Sequence, residues 1–157
     1  MPAEPVPWLS AEELDAWMAL VTMMATLPAA LDRQLRRDAG LTHFEYQVLA
    51  GLSQAPEHTL RMTDLAEVTE GQLPRLSQVA TRLERRGWLT RRADPTDGRY
   101  TLARLTADGM AKLEASAPGH VSAVRRIVFD SLSPTQVRQM RQISRRIGKT
   151  ARSPEFR

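Results

Sequence analysis

Three helix starts are encoded as capping boxes, in which a serine or threonine is followed three residues later by glutamate or glutamine. The boxes lie at Ser10–Glu13, Thr42–Glu45 and Ser133–Gln136. In such a box each side chain accepts a hydrogen bond from the backbone N–H of the other residue, which satisfies N–H groups at the open end of a helix. The boxes therefore predict three helices whose first residues are set by the local sequence.

The apolar residues after the first two boxes recur at the spacing of a helix that buries one face. The first stripe runs from Leu14 to Leu31; Pro28 is expected to kink this helix and Gly40 to end it. The second helix is expected to stop near Pro56. Residues 1–40 are thus predicted to form a long N-terminal helix.

A helix-turn-helix pattern comes next. A short helix over 64–68, capped by Thr63, is predicted to lead through a turn at Glu70–Gly71 into a longer helix over 72–86 that Gly87 ends. The apolar residues of the longer helix form one stripe, so its polar residues face the other way. The outward candidates, which can reach base edges and phosphates in the major groove of DNA, are Arg75, Ser77, Gln78, Thr81 and Arg82.

The following segment has the pattern of a β-hairpin loaded with arginine. Strands are predicted over 88–92 and 100–105, joined by the turn sequence DPTDG. Arg99 follows the turn and can place its guanidinium in a narrow minor groove, where the negative potential of A·T-rich DNA is strongest. Asp97 is expected to hold Arg99 or the amides of the turn in position. Three further arginines lie along the flanks, placed to neutralise phosphates: Arg91, Arg92 and Arg104.

The C-terminal third is predicted to be helical. A helix capped by Thr106 should run toward Asp130, with a break at Pro118-Gly119. The third capping box then begins a last helix that Gly148 closes. The buried edge of that helix is predicted to be formed by Val137, Met140, Ser144 and Ile147.

This order of elements predicts a fold that is mainly α with a small β-wing, a winged helix-turn-helix between N- and C-terminal dimerisation helices. Residues 1–40 are assigned to the dimerisation region, 41–106 to the DNA-binding domain, 107–150 to C-terminal dimerisation helices and 151–157 to a frayed tail. Residues 75–104 carry eight arginines against three acidic residues, a local +5 in a chain of net charge +4. Such a local excess is typical of a surface that binds a polyanion.

The sequence resembles the multiple antibiotic resistance regulator (MarR) family over residues 9–150. The resemblance is carried by LTHFEYQVL, by MTDLAEVTEGQLPRLSQVATRLERRGWLTRR and by DPTDGRYTLARLTADG. It implies a homodimer on a palindromic operator, with 75–82 reading the major groove and Arg99 reaching the minor groove. Two positions depart from the family pattern. Pro74 stands where relatives often have a small capping residue, and Gly98 stands where many carry a second arginine.

The apolar residues of the terminal helices support a dimer independently of the resemblance. A winged domain of about 60 residues cannot cover them all, and a symmetric dimer would bury them. The alternative is a monomer that folds these helices back on itself. The residues assigned to the dimer interface are Leu9, Leu14, Leu132, Val137, Met140 and Ile147.

A small aromatic effector is a further expectation, since the resemblance implies a pocket between the dimerisation helices and the winged domain. Trp17, Met24, His43 and Tyr46 are the candidates to line it, with ordinary core packing as the alternative for each. The three histidines are scattered, and no spacing suggests a metal site, a nucleophile or another cofactor site. The chain is therefore expected to be a ligand-responsive repressor and not an enzyme.

The remaining expectations concern chemistry and location. The chain contains no cysteine, which excludes disulfides and thiol redox switching. No run of about 18 apolar residues and no secretion signal are evident, so no membrane span is expected and a cytoplasmic location is predicted. The rival function is a winged-helix interaction module whose arginines bind an acidic protein partner in place of DNA.

Overall fold

The computed structural model describes residues 6–156, except for the side chain of residue 156. The helices and strands, in chain order, are α1 (Ala11–Ala39), α2 (His43–Ser53), β1 (Thr59–Arg61), α3 (Met62–Val68), α4 (Leu73–Arg85), β2 (Leu89–Ala93), β3 (Thr101–Leu105), α5 (Ala107–Val124) and α6 (Pro134–Ala151). Single turns of 3₁₀-helix lie at Pro56–His58 and Pro154–Phe156, and a π-helical turn at Arg125–Phe129 follows α5. The mainly helical fold with a small β-wing is confirmed.

All three capping boxes are formed, at the starts of α1, α2 and α6. At the second, Glu45 accepts from the N–H of Thr42 at 2.8 Å and donates its own N–H to the Thr42 hydroxyl at 3.0 Å. α1 continues across Pro28 and ends at Gly40, whose φ of 64° lies in the left-handed region that favours glycine. Local sequence thus sets these ends as predicted.

Three predicted helix boundaries are wrong. α3 begins at Met62, so Thr63 lies inside the helix, because the strand β1 brings the chain to the helix start two residues earlier. α5 continues through Pro118, and the irregular turn comes later, where the N–H of Asp130 bonds to the Arg125 carbonyl five residues back at 2.8 Å. Gly148 does not end α6, since it is not among the glycines with positive φ, the conformation that closes a helix.

The strands form one antiparallel sheet in the order β1-β3-β2. Leu89 pairs with Leu105 and Ala93 with Thr101, which places the hairpin strands within one residue of their predicted bounds. β1, which the sequence did not predict, pairs Leu60 with Ala103 on the other edge of β3. The third strand fixes the wing to the helix-turn-helix, because β1 leads directly into α3.

The core of residues 1–117, one of two compact units of the chain, is built from leucines of α2, α3, α4 and the hairpin. The apolar stripe of α4 packs into this core. The fully buried leucines of the core include Leu41, Leu49, Leu52, Leu65, Leu76, Leu83 and Leu89. This core decides which face of α4 remains in solvent.

The second unit, residues 118–157, contains α6, which has no buried residue. Along the predicted buried edge, Val137 and Met140 are half-buried and Ser144 and Ile147 are exposed in the single chain, so burial of this edge in a dimer stays a prediction. The exposed apolar residues of this unit include Ile143 and Ile147.

The N-terminal half of α1 is apolar and exposed as well. Leu14, Trp17 and Met24 each keep about half of their surface in solvent. By length and mean composition alone this helix is apolar enough to cross a membrane, although it contains no uninterrupted run of 18 apolar residues. The reason is that small residues and threonine interrupt the large apolar residues without adding charge.

Gly109 offers a test of how the hairpin docks on α5. A Cβ atom at Gly109 would lie far inside van der Waals contact of the Trp88 carbonyl oxygen, which accepts a hydrogen bond from the Thr106 N–H at 3.1 Å. We expect Gly109→Ala to lower the free energy of unfolding by about 3 kcal/mol, because the contact is with backbone that cannot yield. Urea unfolding followed by circular dichroism measures it.

The matched control is Gly98→Ala at the wing tip, where no atom lies within 4 Å of the added Cβ. Its stability should stay within about 0.5 kcal/mol of the parent. Equal stability of the two variants would contradict the close approach of α5 to the hairpin.

Candidate nucleic-acid interface

The helix α4 presents a polar face to solvent. Leu76, Val79, Ala80 and Leu83 are buried, which leaves Arg75, Ser77, Gln78 and Arg82 exposed and Thr81 half-buried. Pro74 occupies the first turn of the helix, where its missing N–H removes no helical hydrogen bond, and Gln72 is the N-cap without a side-chain bond. The start of α4 is thus compatible with Pro74.

The outward arginines of α4 are held by side chains of α2. The guanidinium of Arg75 stacks on the ring of Phe44, 4.3 Å from its centroid. Arg82 donates from Nε to Oε1 of Glu45 at 3.3 Å, and Glu45 is buried while the Arg82 side chain stays 48% exposed. Both guanidiniums therefore have fixed neighbours yet remain accessible to a ligand in solvent.

The wing tip carries Arg99 on a bidentate ion pair. Its Nη2 lies 2.7 Å and its Nε 3.0 Å from the two carboxylate oxygens of Asp97, and the Arg99 side chain is 84% exposed. The hydrogen bonds from the Arg99 side chain and then from its N–H hold the pKa of Asp97 below its usual value. The expected role of Asp97 in holding Arg99 agrees with this geometry.

Arg91 joins the wing to α4. Its guanidinium donates to Glu84 at 2.8 and 3.1 Å and to the Thr81 hydroxyl at 3.0 Å, and its N–H also donates to Glu84 at 2.9 Å. The side-chain bonds from Arg91 are the main reason that the pKa of Glu84 is lowered. The guanidinium of Arg91 thus fixes the angle between α4 and β2, a role that the sequence did not predict for Arg91 or Thr81.

A cleft of about 230 Å³ separates α4 from the wing and brings several predicted residues together. Its walls include Ser77 from the helix, Arg91 from β2 and Arg99 from the tip. Hydroxyl and guanidinium groups on opposite walls are donors that suit phosphate oxygens. The surface can therefore bind a polyanion between the helix and the hairpin.

The predicted effector residues do not gather at one place in the single chain. His43 lines a cleft of about 680 Å³ between α1, α2 and α4, whose walls also include Arg75, Gln78 and Arg82. Burial lowers the pKa of the His43 imidazole. The backbone N–H of His43 donates to the carboxylate of Asp32 at 2.8 Å. The other candidates lie elsewhere: Trp17 and Met24 are exposed on α1, and Tyr46 packs against the core.

Among residues 6–156, no group of three histidine or acidic side chains is placed to hold a metal ion.

Sequence reasoning missed two residues that contact each other at the base of the wing, Arg61 and Tyr100. It also missed the ion pair between Asp94 and Arg61. Arg61 gave no signal because its strand was not predicted, and Asp94 was counted only as a negative charge.

The chain is similar to known proteins of one class. The model of the MarR family matches residues 39–99. Sco3205, a MarR family transcriptional regulator from Streptomyces coelicolor solved in complex with DNA, shares 40% identity over 97% of this chain and 95% of that protein, with a TM-score of 0.91. AbsC, a MarR family regulator of the same organism, shares 31% identity over 94% of this chain and 99% of that one, with a TM-score of 0.87.

Curated relatives agree over shorter stretches. The transcriptional repressor YetL of Bacillus subtilis is 30% identical over 89 residues, 57% of this chain and 53% of that protein. The transcriptional repressor MprA of Escherichia coli is 25% identical over 108 residues, 69% of this chain and 61% of that protein. The matched stretch thus spans between half and two thirds of these repressors.

The role of Arg91 as a brace can be tested by stability. We expect Arg91→Ala to lower the free energy of unfolding by about 1 kcal/mol, since it removes hydrogen bonds to Glu84 and Thr81 that are partly screened by solvent. Arg92→Ala removes the same charge from the next, exposed position and should change stability by less than about 0.5 kcal/mol. Urea unfolding of both variants measures the two changes in the free energy of unfolding. A larger loss of stability in Arg92→Ala than in Arg91→Ala would refute the role of Arg91 as a brace.

Proposed function

The chain belongs to the MarR family of transcriptional regulators, a family of regulators and not of enzymes, and on that premise we propose that it represses transcription by binding an inverted-repeat DNA operator as a homodimer. The observation that carries the proposal is the cleft with Ser77 of α4 on one wall and Arg91 and Arg99 of the hairpin on the other. The relatives YetL and MprA, which are repressors, support repression as the outcome.

The proposed contacts of α4 follow from the chemistry of its exposed face. Arg75 and Arg82 can each donate two hydrogen bonds to a guanine, and Gln78 can pair with an adenine. Ser77 offers a hydroxyl for a phosphate or for either base type, and the proposed contact of Thr81 is as an acceptor, since its hydroxyl already donates to the Ser77 carbonyl at 3.0 Å. Because neighbours on α2 hold both arginines, they lose little conformational freedom on binding, which favours affinity.

The proposed contact of the wing is with the minor groove. Arg99 extends into solvent while Asp97 holds it, so that a single guanidinium is presented at the tip. Such a group suits the narrow minor groove of A·T-rich DNA. With Gly98 at the neighbouring position, the wing would contribute one charge fewer there than an arginine would supply.

The proposed dimer rests on the exposed apolar surface of the terminal helices. Leu14 on α1 and Ile147 on α6 each expose about half of their surface, an arrangement that is costly in water unless a second copy covers it. We assign residues 1–40 and 107–150 to this interface and 41–106 to DNA binding. The interface residues proposed are Leu9, Leu14, Leu132, Val137, Met140 and Ile147.

Regulation is proposed to come from a small aromatic effector that changes the spacing between the two α4 helices of the dimer. A ligand can do this only through different affinities for the two arrangements. His43 is one proposed contact, since its cleft borders three outward residues of α4. A repressor of this kind acts where the chromosome is, so a cytoplasmic location is part of the proposal.

The DNA-binding activity is tested first by selecting bound sequences from a pool of random duplexes. We expect an inverted repeat with half-sites about 10 base pairs apart. Affinity for the selected duplex should fall steeply with salt, because each phosphate contact releases counterions. No enriched repeat, together with tight binding to an acidic protein, would favour the interaction-module alternative.

Arg99→Ala should weaken binding of the selected duplex about tenfold to a hundredfold and reduce the preference for A·T pairs at the minor-groove position. The matched control is Arg145→Ala on α6, which removes one exposed arginine outside residues 41–106, the segment assigned to DNA binding. Fluorescence anisotropy at several salt concentrations measures both variants. An equal effect of the two would mean that only net charge matters.

The dimer is tested with Ile147→Glu, which puts a charge on the proposed interface and should shift the protein to monomers at micromolar concentration. Gln142→Glu, an exposed position on the same helix, adds the same charge and should leave the dimer intact. Sedimentation equilibrium distinguishes the two, and a monomeric parent protein would overturn this part of the proposal.

A further inference from the structure

An arginine outside the predicted site, Arg61, is bound to the base of the wing. Arg61 is the last residue of β1 and the N-cap of α3. Its Nε and Nη2 lie 2.8 and 2.7 Å from Oδ2 of Asp94, a residue 33 positions later in the chain. The Asp94 side chain is only 6% exposed, whereas that of Arg61 is 36% exposed. The ion pair therefore joins the start of the helix-turn-helix to the turn of the wing.

The second oxygen of Asp94 organises the turn itself. Oδ1 accepts hydrogen bonds from the hydroxyl of Thr96 at 2.7 Å and from its N–H at 2.8 Å. These bonds from Thr96, with the pairing to Arg61, lower the pKa of Asp94 to about 2. Asp94 thus stays ionised at any pH at which the protein would meet DNA, and both of its oxygens are used within the wing.

Tyr100 connects this ion pair to the wing tip. The guanidinium of Arg61 lies 4.4 Å from the centre of the Tyr100 ring, and that of Arg99 lies 6.0 Å from the same centre. The backbone of Tyr100 accepts from the N–H of Asp94 at 2.9 Å and donates to the carbonyl of Asp97 at 3.0 Å. Arg99 is therefore flanked by the Asp97 carboxylate and by a ring whose other cationic neighbour is Arg61.

We propose that Arg61 is a positioning residue for DNA recognition: through Asp94 and the Tyr100 ring it fixes the direction in which Arg99 projects. The inference rests on the proposed function, since positioning matters only if Arg99 contacts DNA. A guanidinium already held in its bound direction loses less freedom on binding, and affinity rises accordingly. The same contacts make the wing move as one body with the start of α3.

Asp94→Asn gives the sharpest test because positioning and plain electrostatics predict opposite results. The substitution removes a negative charge close to the DNA surface, so charge alone predicts tighter binding of the selected duplex. Loss of the Arg61 ion pair predicts binding that is weaker by about tenfold, together with a reduced A·T preference at the minor-groove position. Tighter binding would overturn the proposal.

Arg61 is tested in parallel with a conservative variant and a double-mutant cycle. Arg61→Lys keeps the charge but loses the two-point bond to Asp94, so it should weaken binding nearly as much as Arg61→Ala. In an Arg99→Ala background the loss from Arg61→Ala should disappear, because its effect acts through Arg99. The matched control, Arg104→Ala on β3, removes one exposed charge and should add its loss independently in that background.

Two outcomes contradict the proposal: a loss from Arg61→Ala that persists without Arg99, which marks a direct phosphate contact, and full activity of Arg61→Lys. A measurement without DNA separates failure of this inference from failure of the proposed function. In ¹⁵N relaxation of the arginine Nε–H groups, Arg99 should become more mobile in Arg61→Ala and Asp94→Asn but not in Arg104→Ala. Unchanged mobility refutes positioning even if no operator exists, and thermal unfolding verifies that each variant is folded.

Discussion

Burial of the apolar stripe of α4 determines which side chains of this helix face solvent, where a polyanion could bind them. The side chains of Leu76 and Leu83 are completely buried in the core of residues 1–117. Because a helix is rigid, the residues on its opposite face must then face solvent in a fixed arc. Arg75, Gln78 and Arg82 occupy that arc. The same core holds the hairpin through Leu89, so helix and wing are positioned by a single packing arrangement.

Unpaired negative charge close to this surface would repel DNA. Four carboxylates of the helix-turn-helix, the wing and α2 are each paired with an arginine, so they hold guanidiniums in place. Glu45 holds an arginine of α4, and Glu84 braces α4 against β2. The four pairs are Glu45 with Arg82, Glu84 with Arg91, Asp94 with Arg61 and Asp97 with Arg99. The local excess of arginine is therefore partly structural, and the exposed guanidiniums of Arg82 and Arg99 carry the strongest case for contact with DNA.

The features that the sequence predicted well are those decided within a few residues. The box at Thr42 and Glu45 and the left-handed Gly40 depend on neighbours in the chain, and so does the Asp97–Arg99 pair. The features missed depend on distant partners. β1 exists because three residues pair with β3, and the bond between Arg61 and Asp94 spans 33 positions.

The apolar stripe of α6 was predicted from the spacing of its residues, whereas the partner that buries it stays a prediction, because spacing along one helix does not identify the surface that covers it. The spacing of apolar residues along a helix shows which face of the helix is apolar. Which segment packs against that face depends on how the rest of the chain folds, which the spacing does not show. The same limit applies to Arg91: its charge predicts a phosphate contact, but its hydrogen bonds to Glu84 and Thr81, which make it a brace, could not be read from the sequence.

The 29 residues of α1 give the proposed regulation a physical route within one unit of the chain. At about 1.5 Å per residue the helix is roughly 43 Å long. Its first half exposes the apolar residues assigned to the dimer, and its last turns contact the DNA-reading part of the fold. Asp32 accepts from the N–H of His43 at the start of α2, and the carbonyl of Gly40 accepts from Arg86 at the end of α4 at 3.2 Å. A change in how two copies pack along α1 would thus reach the start of α2 and the end of α4 through direct hydrogen bonds, without any need to disturb the leucine core.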